Sequence, residues 1–583
     1  MDKELDSLVI SIDNFICNIQ DGDIDSLESL LIKGLTTEIE VLDTIQKECK
    51  LELINTKQLI KYNVLDYIRQ SEYCQKRYLL CTDIDQNKII VLNNYNPLKI
   101  KLIAQHFSTY LVKLISKKDF FALIDNSFKR LNVARSKYLL DLHNDKVNAK
   151  NINYVLLTGK IILTLSFLHQ FSREGFLFIM HLLYFAHGVL KLLLFKVAML
   201  RYQLHLSSLY YSVELFPFYT ILVPLYHEVE KLRDIVKAIE LLNYPKNRIE
   251  VKIIVEEDDV YTMLELTTMH LAHYFHVIKV PFSFPQTKPK ALNYAMNYIV
   301  GEYVTVYDAE DSPEPDQLLK VIYHFQNLQP DYQCIQARIN FYNKNENVLT
   351  KLMSIEYCLW FDFFLYGLTC LGLPVTLGGT SNHCRAKMLK SLGYWDAYNV
   401  TEDADLGLRI YIAGFKTAVI DSYTYGEAVI DCKGWLHQRS RWIKGFIQTS
   451  FVFMSYNKNI RNRLGLCANI CICLFILFSP LMFLFIPLWL ISGIIDNDCT
   501  LGTILWYNML FALAYMHVMS WIALCRIKGH WSNLTLQDLL CFIIWPLYSM
   551  LHVIASYKAI FELCVKPFKW NKTKHGVSRI NIN

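Results

Sequence analysis

Residues 303–316 read Y-V-T-V-Y-D-A-E-D-S-P-E-P-D, and the reading of this stretch decides the fold. Its first half is β-branched and aromatic, which predicts a strand. Asp308, Glu310 and Asp311 follow at once, and Pro313 and Pro315 cannot continue a sheet ladder. Acidic side chains at the carboxyl end of a strand lie where open α/β sheets bind ligands. The D-A-E-D spacing puts hard oxygen donors on one side of a turn, which suits a divalent metal that shares phosphate oxygens. The plain alternative is an acidic, solvated strand-to-helix turn, since such turns are common.

On the N-terminal side of this stretch, Y-T-I-L-V-P-L-Y at 219–226 reads as a buried strand and 230–242 as an amphipathic helix. V-K-I-I-V-E-E-D-D at 251–259 is a second strand that ends in acids. H-V-I-K-V-P is a third strand, and K-A-L-N-Y-A-M-N-Y-I-V a helix leading into 303. Strands that alternate with helices and collect acids at their ends predict a mostly parallel, doubly wound sheet across 204–455.

Beyond that domain the composition changes. The whole chain of 583 residues is 53% hydrophobic, with a mean hydropathy of +0.21. That is too apolar for an ordinary soluble protein and predicts membrane segments beside soluble domains. The net charge of +5 is small, no basic stripe with interleaved aromatics is present, and nucleic acid is not an expected partner. The opening M-D-K-E-L-D-S-L lacks the basic start and apolar core of a signal peptide, so no cleavage is expected there. The 16 cysteines lack C-x-x-C pairing, and several, such as Cys467, Cys471 and Cys473, fall in an apolar run. They read as reduced, buried thiols rather than disulfides or zinc ligands.

Residues 1–150 read as a small α+β domain, with helical periodicity at 27–35, 38–51, 100–114 and 118–131 and strands at 78–81 and 88–92. Residues 151–203 read as a transmembrane hairpin; 175–200 is long enough to span, while 154–171 is shorter and carries Lys160. Within 456–563, the runs 466–495 and 503–525 read as spans, and 539–563, interrupted by Pro546, as an interfacial or re-entrant helix pair. The positive-inside rule puts Arg461, Arg463, Arg526, Lys528 and the basic tail 564–583 in the cytoplasm.

Three further motifs bear on chemistry. N-V-T-E-D-A-D-L-G-L-R at 399–409 gives Thr401 as a helix cap with Glu402 and Asp403 in the first turn, which is also ordinary capping chemistry. W-L-H-Q-R-S-R-W-I-K-G at 435–445 puts Gln438, Arg441 and Trp442 on one helix face. A guanidinium fork there can take diphosphate oxygens, and the indole offers a platform for a sugar ring. The same pattern also suits an amphipathic helix on a membrane surface. G-G-T-S-N-H-C-R at 378–385 is a small-residue loop that permits close approach to its backbone, including at Gly379 and Thr380. His227, His383 and His437 lie too far apart in sequence for a metal site and read as polar surface or supporting residues.

Taken together, the acidic end of the second strand, the D-x-D-like turn, T-E-D and Q-x-x-R-W resemble, in order, a processive membrane-integrated family 2 glycosyltransferase. Cellulose synthase, hyaluronan synthase and the bacterial β-glucan synthases form that group. The resemblance covers about 215–450 and implies a GT-A-type, Rossmann-like domain inserted between transmembrane helices. It implies that Asp308, Glu310 and Asp311 hold Mg2+ or Mn2+, that Glu257 or Asp258 holds the uridine, and that Asp403 is the catalytic base beside Glu402. It implies that Gln438, Arg441 and Trp442 hold the acceptor end and the leaving diphosphate, with Gly379 and Thr380 on the acceptor side. The tail W-N-K-T-K-H-G at 570–576 is similar to one in the β-glucan group and implies a gating role. Residues 1–150 resemble the N-terminal domain of type II secretion ATPases, which implies docking of an envelope assembly partner.

The expected function is inverting transfer from a UDP-sugar to a growing β-linked polysaccharide, since one base without a carboxylate nucleophile means single displacement. The expected partners are the UDP-sugar, a polysaccharide or glycan acceptor and the lipid bilayer. The expected location is a bacterial-type cytoplasmic membrane, with several spans and the catalytic domain inside. The alternatives are single-sugar transfer to a lipid carrier and a non-catalytic membrane scaffold.

Overall fold

The computed structural model describes residues 38–54, 63–64, 78–83, 85–93, 97–106, 108–143, 148–202, 215–479, 481–487, 518–523, 535–570 and 578. The expected helix at 27–35 lies outside them, as do the tail residues 571–577 and most of the expected span 503–525.

The first domain runs α1 (Glu38–Cys49), β1 (Glu52–Ile54), β2 (Asn63–Val64), β3 (Tyr78–Thr82), β4 (Lys88–Leu92), α2 (Pro97–His106), β5 (Leu111–Ile115) and α3 (Lys117–His143). Its five-stranded sheet has the order β1-β5-β4-β3-β2. The helix expected over 100–114 stops at His106, and 111–115 is instead a strand held between β1 and β4, both parallel to it. Sheet pairing overrides the helical periodicity there.

Two apolar helices follow, α4 (Tyr154–Phe171) and α5 (Arg173–Tyr202). The second domain then runs β6 (Tyr219–Leu225), α6 (Val229–Glu240), β7 (Ile249–Glu256), α7 (Val260–Thr268), β8 (Phe275–Val280), α8 (Lys288–Ala295), β9 (Tyr303–Val306), β10 (Ser312–Pro313) and α9 (Gln317–Asn327). It continues with β11 (Tyr332–Phe341), α10 (Val348–Tyr357), a wider π-helical turn over Cys358–Leu365, α11 (Tyr366–Cys370), β12 (Asn382–Arg385), α12 (Ala386–Ser391), α13 (Glu402–Ile412), β13 (Lys416–Gly426) and α14 (Cys432–Ser455).

The large sheet has eight strands in the order β10-β13-β11-β12-β9-β6-β7-β8. Strands β9, β6, β7 and β8 are mutually parallel, as the sequence predicts. β12 enters antiparallel between β9 and β11. The second half of the expected loop 378–385 is therefore a strand whose N-H-C-R composition hides it. His383 on that strand is not a surface residue: it is fully buried and meets the Tyr219 hydroxyl at 2.6 Å. The thiols of Cys334 and Cys384 lie 3.2 Å apart across the β11–β12 pair without a disulfide. Cys471 is buried, whereas Cys467 and Cys473 face outward.

After α14 come α15 (Lys458–Arg463), α16 (Leu466–Ile472), a π-helical turn over Cys473–Phe478 and α17 (Leu536–Val565). α17 is one helix of 30 residues with Pro546 inside it, not the broken pair expected from the sequence. A proline removes one backbone hydrogen bond, and contacts along the helix offset that loss. Lys351 pairs with Asp538 at 3.2 Å near its start, Trp435 donates to the Tyr548 hydroxyl at 3.1 Å, and Lys444 reaches the Lys569 carbonyl at 3.0 Å just beyond its end. Among the described residues, Phe178–Arg201 and Leu536–Val565 are long and apolar enough to cross a membrane; Leu466–Phe478 with Leu481–Pro487 would be a third span, bent by 53°.

The first domain is not a separate body. Its core residues Phe120, Leu123 and Phe128 belong to one apolar cluster with Leu292, Tyr294 and Tyr298 of the second domain. At the junction Asn293 of α8, 4% exposed, donates to the Ser136 carbonyl of α3 at 3.0 Å and the Trp395 carbonyl at 2.8 Å, and accepts from the Trp395 N–H at 3.1 Å. Asn293→Ala would leave buried polar groups unpaired, and each such group costs about 1–3 kcal/mol. We expect a thermal unfolding midpoint in detergent clearly below wild type, whereas a change at exposed Arg130 on α3 should leave it unmoved.

Candidate active site

β9 delivers the acidic turn. Tyr307 is buried, and its hydroxyl donates to Gln317 at 2.7 Å, fixing the strand end. The Asp308 N–H donates to the Asp311 carboxylate at 2.7 Å, and the Asp311 N–H donates to the Asp308 carbonyl at 3.1 Å, closing the turn on itself. The Thr380 hydroxyl also donates to Asp311. The Lys288 ammonium donates to the Asp308 carboxylate and, at 2.7 Å, to the Gly379 carbonyl. Burial and the charge of Asp308 hold the Glu310 and Asp311 carboxyls well above the usual carboxylate range. Burial works against the Lys288 ammonium, but Asp308 and then Glu402 outweigh it and push its pKa up.

T-E-D forms the facing wall. Thr401 caps α13, although its side chain makes no capping bond. Asp403 accepts from the Ala404 N–H at 2.8 Å through one oxygen. A Cβ on Gly379 would stand 3.4 Å from its other oxygen and 3.9 Å from the Lys288 nitrogen, so the Gly379 backbone lies beside both charged groups. Burial raises Asp403, and burial together with Asp403 pushes Glu402 up to about 8. Asp405 turns elsewhere and pairs with buried Arg409 at 2.7 Å.

α14 closes the site. A Cβ on Gly445 would fall 2.4 Å from Thr401 atoms, so only glycine lets this helix lie against the T-E-D cap. Gln448 accepts from the Val400 N–H at 3.1 Å, and Asn399 donates to Thr449 at 3.0 Å. Gln438, Arg441 and Trp442 then face the same cleft as Asp308 and Asp403. Burial lowers the Arg441 pKa, while Glu402, Asp403 and Asp308 favour its charge. The Trp570 ring lies 4.6 Å from its guanidinium. Ser578 N–H, across the tail, donates to the cleft-lining Glu427 at 2.9 Å.

The cleft of about 440 Å3 is lined by Asp308, Glu310, Asp311, Gly379, Thr380, Glu402, Asp403, Gln438, Arg441 and Trp442 together. Glu257 and Asp258 are not in its lining; Glu256 is. Glu257 pairs with Lys129 of α3 at 3.3 Å, and Asp258 accepts from Gln286 at 2.9 Å and Tyr226 at 3.2 Å, both cleft residues. Sequence reasoning missed Lys288, Tyr226, Gln286 and Arg439. Of these, Lys288 carried a signal, because K-P-K begins a helix with proline in its first turn just before the acidic strand. His227 pairs with Asp259 at 3.3 Å beyond the cleft.

Among the described residues, no three His, Cys, Asp or Glu side chains stand ready to hold a metal ion. The donor chemistry nevertheless fits one. Three carboxylates share one turn whose resident cation is the Lys288 ammonium, and burial with the charge of Asp308 disfavours the charged forms of Glu310 and Asp311. A divalent cation shared with phosphate oxygens would relieve that crowding.

Residues 303–557 match the family model for glycosyl transferase family group 2, from the start of β9 well into α17. The matched stretch is thus similar to a family 2 glycosyltransferase domain, and it sits on a mixed α/β fold with a large, parallel-rich sheet. Over 314 residues it is 24% identical to the probable glycosyltransferase YdaM of Bacillus subtilis (strain 168), covering 52% of this chain and 71% of that protein. Over 255 residues it is 29% identical to the beta-monoglucosyldiacylglycerol synthase of Nostoc sp. (strain PCC 7120 / SAG 25.82 / UTEX 2576), covering 43% of this chain and 53% of that protein. Among solved structures, a mannosyltransferase from Pyrobaculum calidifontis in complex with GDP-Man and Mn2+ aligns with a TM-score of 0.41 and 14% identity, over 66% of this chain and all of that one.

Proposed function

We propose that the protein is a metal-dependent, inverting glycosyltransferase that moves a hexose from a UDP-sugar to an acceptor hydroxyl supplied from the membrane side of the cleft. One observation carries the reading. A single cleft joins the acidic turn, T-E-D and the Gln438–Arg441–Trp442 face to Phe475, Phe483, Trp545 and Tyr548 of the apolar helices.

Asp308, with Glu310 or Asp311, would hold Mg2+ or Mn2+, which when bound supplies positive charge to the leaving diphosphate. Arg441 offers a second, fixed positive charge on the same side. Tyr226 and Gln286, held by Asp258, line the end assigned to the nucleoside. Asp403 accepts the proton of the attacking hydroxyl, and burial raises its affinity for that proton. Glu402, protonated near neutrality, adds no second negative charge beside the base. With one base and no carboxylate nucleophile, displacement is single and the anomeric centre inverts.

Acceptor entry from the membrane side suits two products. One is a β-linked polysaccharide extended at the Trp442 end and passed between the helices of a multi-pass cytoplasmic-membrane enzyme. The other is a single transfer to a lipid, which the apolar far end of the cleft and the likeness to a beta-monoglucosyldiacylglycerol synthase favour. Reconstituted protein given UDP-sugars and Mg2+ distinguishes them by product length. No UDP release with any common UDP-sugar would overturn the transferase reading itself.

Trp442 sits 4.4 Å from the Arg439 guanidinium and 6.0 Å from the Tyr357 ring. Trp442→Ala should cut transfer to acceptor about tenfold, near the 1–3 kcal/mol value of an aromatic stacking contact, while leaving hydrolysis of the donor nearly unchanged. Equal loss of both rates would remove the acceptor platform from this account.

A further inference from the structure

The end of the cleft away from Asp308 carries a positive charge that the mechanism above does not use. Lys191 lies within Phe178–Arg201, a helix apolar enough to cross a membrane; it is 8% exposed and lines the cleft. Its ammonium stands 5.4 Å from the centre of the Phe364 ring, and among the described residues it has no hydrogen bond or ion pair. Its neighbour one turn earlier, His187, is also buried, with both ring nitrogens unpartnered among the described residues.

The carboxylate facing Lys191 across this end is Glu356, and it is already engaged. Arg439 donates to it through Nη1 at 3.0 Å and forms an ion pair with its other oxygen at 2.7 Å through Nη2, the Tyr548 hydroxyl donates at 2.5 Å, and His552 stands at 3.4 Å. Burial alone would raise the Glu356 carboxyl; Arg439 and His552 outweigh it and hold it at about 2. Its oxygens are taken by Arg439, Tyr548 and His552, so Glu356 acts on Lys191 through space without bonding it, and the Lys191 ammonium keeps no direct anionic partner in an apolar, aromatic setting. Such charges persist in membrane helices where they meet a counter-ion or a functional partner.

We propose that Lys191 binds the phosphate of a membrane lipid, and that this phosphate-bearing lipid is the acceptor class of the site. The inference rests on the transferase reading above. An uncharged headgroup would leave Lys191 unpaired, whereas a phosphate supplies the missing charge and its chains lie along Phe475, Phe483 and Trp545. The sugar-accepting hydroxyl is then presented toward Asp403 from the same molecule.

The test is native mass spectrometry of the full chain in detergent with dioleoyl phosphatidic acid and with dioleoylglycerol, which share chains and differ by the phosphate. Wild type should retain the phosphatidic acid at least tenfold better; Lys191→Met should lose that preference about tenfold, and Lys191→Arg should keep it. Equal retention of the two lipids by wild type overturns the proposal whether or not the variants fold, as does unchanged preference in Lys191→Met. Displacement of the lipid by millimolar inorganic phosphate would overturn the lipid part and leave a free-phosphate site. UDP binding with Mg2+, measured on the same samples, separates the two readings. UDP bound without lipid preference sinks this inference alone, and lipid preference without UDP sinks the transferase.

Discussion

Asp403→Asn is expected to lower turnover by about 10²–10⁴-fold, the usual worth of a positioned general base, while UDP still binds in the presence of Mg2+. The substitution keeps the shape of the side chain and the acceptor for the Ala404 N–H. It removes only the ability to take a proton. Because burial raises the Asp403 pKa, wild-type turnover should fall as pH drops through a value above the ordinary aspartate range, since only the carboxylate accepts a proton. The variant should lose that limb. The check is a pH profile of UDP-sugar turnover beside a UDP titration by calorimetry. Weakening of UDP binding to the degree seen on replacing Asp308 would mean that Asp403 serves the donor and that the base lies elsewhere.

Asp308→Ala is expected to do the reverse. Binding of UDP with Mn2+ should weaken about a hundredfold or more, which is about 2.8 kcal/mol, and turnover should vanish with it. The side chain is the partner of Lys288 and the charge around which Glu310 and Asp311 are arranged. Chelation with EDTA should bring the wild type down to the level of the variant and lower the variant little further. Full UDP affinity in EDTA would remove the metal from the mechanism.

Much of this site was legible in the sequence because its parts are local. D-A-E-D at a strand end, T-E-D at a helix start and Q-x-x-R-W on one helical face each declare their geometry through a period or a cap. Long-range pairing was not legible. β12 is four residues of mixed polarity, and only the register of β9 and β11 makes it a strand. Residues 111–115 had helical periodicity and lost it to two parallel neighbours. E-E-D-D offered adjacent carboxylates without a way to choose among them. The turn after β7 puts Glu256 in the cleft, sends Glu257 to Lys129 and leaves Asp258 to brace Tyr226 and Gln286. Pro546 read as a break, yet side chains from α10 and α14 meet the helix on both sides of it.

The bonds of Asn293 have a consequence for how the chain is divided. That residue ties α3 both to the helix beginning at Lys288 and to the loop that ends in Thr401. The helix that carries Lys288 and the loop before the T-E-D turn thus share one buried anchor with the described part of the first domain. Cutting the protein there would strip an apolar flank from the second domain, so the first domain is better regarded as one of its walls than as a passenger.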